Sequence, residues 1–263
     1  MNKLINKIKN DLKNTKNIND DPLRYILNNG LLNDSGLILE FGTWKGQTVD
    51  MISDFTDKIV YGFDSFEGID YQWGELDMNK FKLDKIPTKV NKLDKNKKCN
   101  TGVISEFNKN VCFINGFFED SLPKFLEENR RKITFLHVDC DIYESTKTIF
   151  DHCGNLISND CIIIFDELIN YPNFESHEIK AFYEWVSKND IEFEWLVTGS
   201  DVYDIDEIKF IDSLDINLDL VNSNKFRRMN DSRSEILYKD KRGLFNINVE
   251  VALKITKNPS FIL

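Results

Sequence analysis

Between residues 37 and 197, short β-branched apolar runs alternate with longer amphipathic stretches. The runs at 37–41, 59–63, 111–115, 133–138, 161–165 and 191–197 have the length and composition of strands. The stretches near 47–55, 120–129, 143–157 and 175–189 have helical spacing; in the last, Ile179, Phe182, Tyr183 and Val186 fall at i, i+3, i+4 and i+7. Such alternation predicts an α/β fold, a parallel sheet with helices on both faces. Near the C-terminus the period changes to two. Phe245, Ile247, Val249, Val251, Leu253 and Ile255 alternate with Asn246, Asn248, Glu250, Ala252 and Lys254, which predicts one antiparallel strand joining the sheet.

The N-terminal stretch places Leu4, Ile5 and Ile8 on one side of a short amphipathic helix, so residues 1–30 read as a helical cap. Residues 70–110 are rich in Lys, Asn and Asp, and 198–244 carry an acidic run followed by a basic one. Connections this long are insertions or lids. With no repeat and no linker composition, residues 1–263 read as one domain. The net charge of -10 disfavours a nucleic-acid partner and an anionic membrane surface. No apolar run is long enough for a membrane span or a signal peptide. Cys99, Cys112, Cys140, Cys153 and Cys161 show no C-x-x-C spacing and are odd in number, as expected of free thiols in a cytoplasmic protein. A homo-oligomer is compatible with all of this.

The segment GLILEFGTWKGQTV reads as strand, acidic residue, Gly-rich turn and helix start. Gly42 and Gly46 permit tight backbone geometry beside a ligand, and the helix start offers free N–H groups. The next strand ends in YGFDSFEG, with Asp64 24 residues after Glu40 and suited to ribose hydroxyls. A nicotinamide cofactor would use the same geometry. Its G-x-G-x-x-G fingerprint is absent, and bulky Trp44 sits in the turn instead. S-adenosylmethionine has no phosphate, and Glu40 is placed to meet its amine.

LHVDCDIYEST and IIIFDEL carry the sharpest chemistry. Asp139 and Asp141 share a side if their strand continues, and Asp166 and Glu167 end the next strand, about 4.8 Å away in a paired sheet. Like charges so close raise each other's pKa or require a cation, and all-oxygen ligation suits Mg²⁺ or Ca²⁺. Each residue also has an ordinary explanation: Asp141 as the N-cap of a helix starting at Ile142, Glu167 as a solvated loop residue. His137 reads as a core residue and His152 as structural. His177, in NYPNFESHEIK, faces either solvent or a substrate pocket.

LEFGTWKGQT, YGFDSFEGI, NGFFEDSLPKFL, FLHVDCDIYESTKTIF, IIIFDELINYPNFESHEIKAF and VEVALKI together resemble the macrocin O-methyltransferase family, in order and spacing. The resemblance implies a Rossmann-like, doubly wound, mostly parallel seven-stranded sheet with an antiparallel last strand. It also implies Mg²⁺-assisted methylation of a hydroxyl on a small molecule, a sugar among the candidates. Carried over by position, Glu40, Phe41, Gly42, Thr43, Gly46, Asp64, Ser65, Phe66 and Asp139 would contact S-adenosylmethionine, with Gly116 and Phe117 near its adenine. Asp139, Asp166 and Glu167 would hold Mg²⁺, and Asp141 would be the general base. Glu167 stands where many members carry Asp, and the 198–244 connection is longer than the family implies. Metal-independent methylation, a nicotinamide-dependent oxidoreductase and a non-catalytic binding protein are the alternatives.

Overall fold

The protein is described by a computed structural model at residues 2–68, 82–83, 107–108, 110–171, 174–202, 236–240 and 243–263. The expected insertions at 70–110 and 198–244 lie largely outside these residues. Each apolar run between 37 and 197 forms a strand: β2 (Leu37–Phe41), β3 (Val60–Asp64), β4 (Val111–Asn115), β5 (Ile133–Val138), β6 (Ile157–Phe165) and β7 (Glu192–Thr198). A two-residue strand, β1 (Lys16–Asn17), precedes them and pairs in parallel with β7. Among the described residues the sheet therefore has eight strands, not seven, because β1 is too short to leave a periodic signal.

The expected strand over 245–255 is two strands. β8 (Ile236–Asp240) and β9 (Gly243–Ile247) form a separate antiparallel hairpin. β10 (Val251–Lys257) enters the main sheet antiparallel between β7 and β6. Asn248 makes the break. Its Oδ1 accepts from Glu250 N (2.7 Å), while its own carbonyl accepts from Asn170 Nδ2 (3.0 Å) and Ser200 Oγ (2.7 Å). Such side-chain and loop bonds draw backbone groups out of the ladder. The strand order is β1-β7-β10-β6-β5-β2-β3-β4, and every neighbour pair is parallel except those of β10.

Among the described residues six α-helices accompany the strands: α1 (Asn2–Leu12), α2 (Pro22–Asn28), α3 (Gln47–Ser53), α4 (Phe118–Glu128), α5 (Tyr143–Cys153) and α6 (Glu178–Asn189). Asp21 caps α2 by accepting from Arg24 N (2.8 Å), with Pro22 at the first helical position. Alternation along β2 separates two core layers. Leu37, Leu39 and Phe41 join side chains of α1, α4, α5 and α6, whereas Ile38 joins those of α2 and α3. Phe182 is fully buried against the rings of Phe150, Phe165 and Phe193, at 5.9, 5.4 and 5.0 Å between centroids. It fixes α6 against both α5 and the sheet.

Candidate active site

β2, β3, β4, β5 and β6 run in parallel, so the residues following them meet along one edge of the sheet. At the end of β2 the chain takes positive φ at Gly42 (87°), Trp44 (40°) and Gly46 (79°). A Cβ on Gly42 would lie 1.6 Å from the Asp139 carbonyl oxygen, so the close approach of the β2 and β5 ends itself demands glycine. A Cβ on Gly46 would meet the rings of Phe107 and Phe113. Trp44 is a bulky residue in a strained conformation, and Asp64 holds it there. The Asp64 carboxylate accepts from Thr43 N (2.9 Å) and Trp44 N (2.7 Å) through Oδ2, and from Phe66 N (2.6 Å) through Oδ1. Burial raises the Asp64 pKa despite these three donors.

The other residues assigned to the cofactor lie around this turn. Phe41 is fully buried and stacks on Phe63 (4.7 Å between centroids), so its ring belongs to the core. Thr43 is buried, and its Oγ1 has no hydrogen-bond partner among the described residues. Ser65 Oγ accepts from Glu67 N (3.2 Å), and the buried Phe66 ring meets Phe113 edge-on. Gly116 donates its N–H to Asp64 O (3.0 Å), and the neighbouring Phe117 ring is exposed at the same edge. Glu40 is fully buried, with Oε1 3.1 Å from His137 Nδ1.

Asp139 N donates to Phe41 O (2.8 Å) and Asp166 N to Val138 O (2.9 Å), which carries both residues one step past their strands. Asp141 has φ of 65°, in a turn where Ile142 N donates to Cys140 O (2.7 Å). It does not cap α5, whose N-cap is Ile142. Oxygens of Asp139, Asp141 and Glu167 lie within 4.8 Å of one another. Glu167 Oε2 is closed to solvent with no hydrogen-bond partner among the described residues, unlike a solvated loop residue. Burial first, then the charge and hydrogen bond of Asp141, hold the Glu167 carboxyl well above the usual carboxylate range. Asp166 turns Oδ1 toward His137 Nε2, at 3.7 Å. His137 is thus a buried histidine set between Glu40 and Asp166, and it forms a second close group with Glu40 and Asp139.

His152 is exposed in the last turn of α5. His177 is half-buried at the start of α6, its ring 6.0 Å from that of Tyr171, and burial pulls its pKa down. Two participants gave no signal in the sequence. Glu178, in the first turn of α6, is fully buried and close enough to Asp141 and Asp166 to feel their charge. Tyr171, in the loop after Glu167, has its pKa pushed up by burial and then by Glu178, Glu167 and Asp141. An acidic residue in a first helical turn is ordinary, so nothing in the sequence marks Glu178 as buried.

This donor set fits an oxygen-ligated divalent cation: three carboxylates at ligand spacing, one with a buried oxygen lacking a hydrogen-bond partner among the described residues. The edge beside it fits a nucleoside-bearing cofactor, with a strand-end carboxylate, a glycine turn and an exposed aromatic ring. Residues 17–192 match the profile of the family described as Macrocin-O-methyltransferase (TylF). No curated protein matches the chain. Among solved structures the chain is similar to CalS11, a TDP-rhamnose 3'-O-methyltransferase of calicheamicin biosynthesis, at 19% identity, over 64% of this chain and 71% of that one, with a TM-score of 0.42. The O-methyltransferase NovP matches at 20% identity, over 74% of this chain and 75% of that one, with a TM-score of 0.42. An O-methyltransferase from Bacillus cereus in complex with SAH matches at 13% identity, over 97% and 91%, with a TM-score of 0.46.

Proposed function

Because the chain belongs to the macrocin O-methyltransferase (TylF) family, we propose that it methylates a hydroxyl of a sugar or related small molecule with the help of Mg²⁺. It is an S-adenosylmethionine-dependent methyltransferase, and the nicotinamide and non-catalytic alternatives give way to that. The observation that carries the finer reading is the convergence of Asp139, Asp141 and Glu167 beside the glycine turn. Bound there, S-adenosylmethionine supplies an electrophilic methyl and Mg²⁺ a Lewis acid that stabilises developing alkoxide charge.

The chain's own residues do the rest. Glu40 and Asp64 would hold the cofactor's amine and ribose, with Phe117 near its adenine. Asp139 and Glu167 would hold the cation, together with Asp166, one oxygen of which faces His137. Asp141 takes the proton of the acceptor hydroxyl, a contribution of about 10²–10⁴-fold in rate. Holding the acceptor beside the cofactor would supply a further part. The described residues build one eight-stranded sheet with helices on both faces, beside the separate β8–β9 hairpin, which supports reading 1–263 as one methyltransferase domain. No described helix is long and apolar enough to cross a membrane; the buried thiols of Cys140, Cys153 and Cys161 suit a reducing cytoplasm.

The spacing of Asp141 from Asp139 and Glu167 favours a second reading, in which Asp141 is itself a ligand. Methyl transfer to hydroxylated acceptors by Asp141→Asn, across a Mg²⁺ titration, separates the two. Loss of the base lowers turnover at every Mg²⁺ concentration and leaves the half-saturation point in place. Loss of a ligand moves that point upward. Full activity of the variant would refute both roles.

A further inference from the structure

We infer that Glu178 is a positioning residue that sets the geometry of the Asp139–Asp141 turn through the backbone of Cys140. Glu178 Oε1 accepts from Cys140 N (3.4 Å) and faces Cys140 Sγ (3.7 Å), across 38 residues of sequence. Cys140 stands between the two aspartates read above as cation ligand and general base. The turn is not self-supporting, since Asp141 occupies the left-handed region that L side chains rarely adopt. Its other anchors are the bond from Asp139 N to Phe41 O (2.8 Å), the Asp141–Glu167 hydrogen bond and Thr146, whose Oγ1 lies 3.4 Å from Cys140 Sγ and donates to Ile142 O (3.0 Å). Glu178 alone among these ties the turn to α6, which Phe182 fixes in the core four residues further on.

The Glu178 side chain is fully buried, and its Oε2 has no hydrogen-bond partner among the described residues. A buried carboxyl beside other acids is costly, and a residue serving packing alone would be apolar. Its reach, rather than its charge, is what the turn uses. Partners that orient metal ligands without touching the metal change affinity or activity by about 10–100-fold when removed.

The inference rests on the reading of Asp139 and Asp141 given above, and two near-isosteric variants test it. Glu178→Gln keeps an oxygen at the Cys140 N–H and removes the ionisable group. Glu178→Asp keeps a carboxyl and falls one methylene short. Mg²⁺ binding and S-adenosylhomocysteine binding are measured by calorimetry on the full chain, with methyl transfer alongside and thermal unfolding confirming a folded state. The expected pattern is a Mg²⁺ dissociation constant raised about tenfold or more in Glu178→Asp. Glu178→Gln stays within about threefold of wild type, and S-adenosylhomocysteine affinity is unchanged in both. Turnover falls by up to about 10² in Glu178→Asp, the cost of misplacing reacting groups by about 1 Å. Unchanged Mg²⁺ affinity in Glu178→Asp would overturn the inference, as would a Glu178→Gln impaired equally. A wild-type protein that binds no Mg²⁺ would overturn the cation reading itself, and this inference with it.

Discussion

Replacing Asp64 by Asn tests whether this carboxylate builds the cofactor turn. The carboxylate accepts three backbone N–H groups, from Thr43, Trp44 and Phe66. An Asn side chain keeps one oxygen, which can serve either Phe66 N or the Thr43–Trp44 pair. Its NH₂ then faces the donor or donors left over. A buried donor left without an acceptor costs about 1–3 kcal/mol, and the bonds that remain lose their ionic reinforcement, about half their strength. Removing the charge offsets part of this, because burial already disfavours the Asp64 anion. The net loss is about 2 kcal/mol, which lowers the unfolding midpoint by about 4–8 °C in a domain of this size. Trp44, with φ of 40°, relaxes when its N–H is released, and the cofactor surface goes with it. Thermal unfolding and calorimetry with S-adenosylhomocysteine read both effects. An unfolding midpoint within a degree of wild type, with unchanged affinity, would refute the reasoning.

The folded Glu167 carboxyl, its pKa raised, keeps its proton above the pH at which the unfolded chain releases it. The cation-free protein therefore loses stability as pH rises from about 4.5. Mg²⁺ needs the ionised form, so the rise in unfolding temperature on adding Mg²⁺ should grow between pH 5 and pH 8. Glu167→Gln should abolish that increment, and an increment independent of pH would contradict the assignment. Glu178, raised in the same direction, should keep part of the pH slope in that variant. Gly42→Ala combines a φ of 87° with a Cβ 1.6 Å from Asp139 O, so it should yield insoluble protein or protein with no measurable cofactor binding. Phe182→Ala should cost about 3–5 kcal/mol in chemical denaturation, and a loss under about 1 kcal/mol would show that α6 repacks.

The sheet was legible because its central strands are buried on both faces and largely apolar, β2 and β5 being buried at every position. The β9–β10 break was not, because its cause lies in Asn170 and Ser200, both far from Asn248 in sequence. Asp139, Asp141, Asp166 and Glu167 could be gathered from strand spacing alone, since register is local to two adjacent strands. Their orientations could not: Asp166 turns to His137, and Asp141 depends on a left-handed turn. His137 reads as a core residue because it lies within a strand; it is buried there with Glu40 at 3.1 Å and Asp166 at 3.7 Å, neighbours that a β-strand pattern does not show. Glu178 escaped notice because a first-turn acid is ordinary until tertiary packing buries it.

The most direct test of one shared site is calorimetric titration of the protein with S-adenosylhomocysteine, then of the loaded protein with Mg²⁺, in wild type and Asp139→Asn. One S-adenosylhomocysteine per chain, one Mg²⁺ site in wild type, and loss of that Mg²⁺ site in Asp139→Asn are expected. Folded protein that binds no S-adenosylhomocysteine, or Mg²⁺ binding that survives Asp139→Asn, would contradict a shared site.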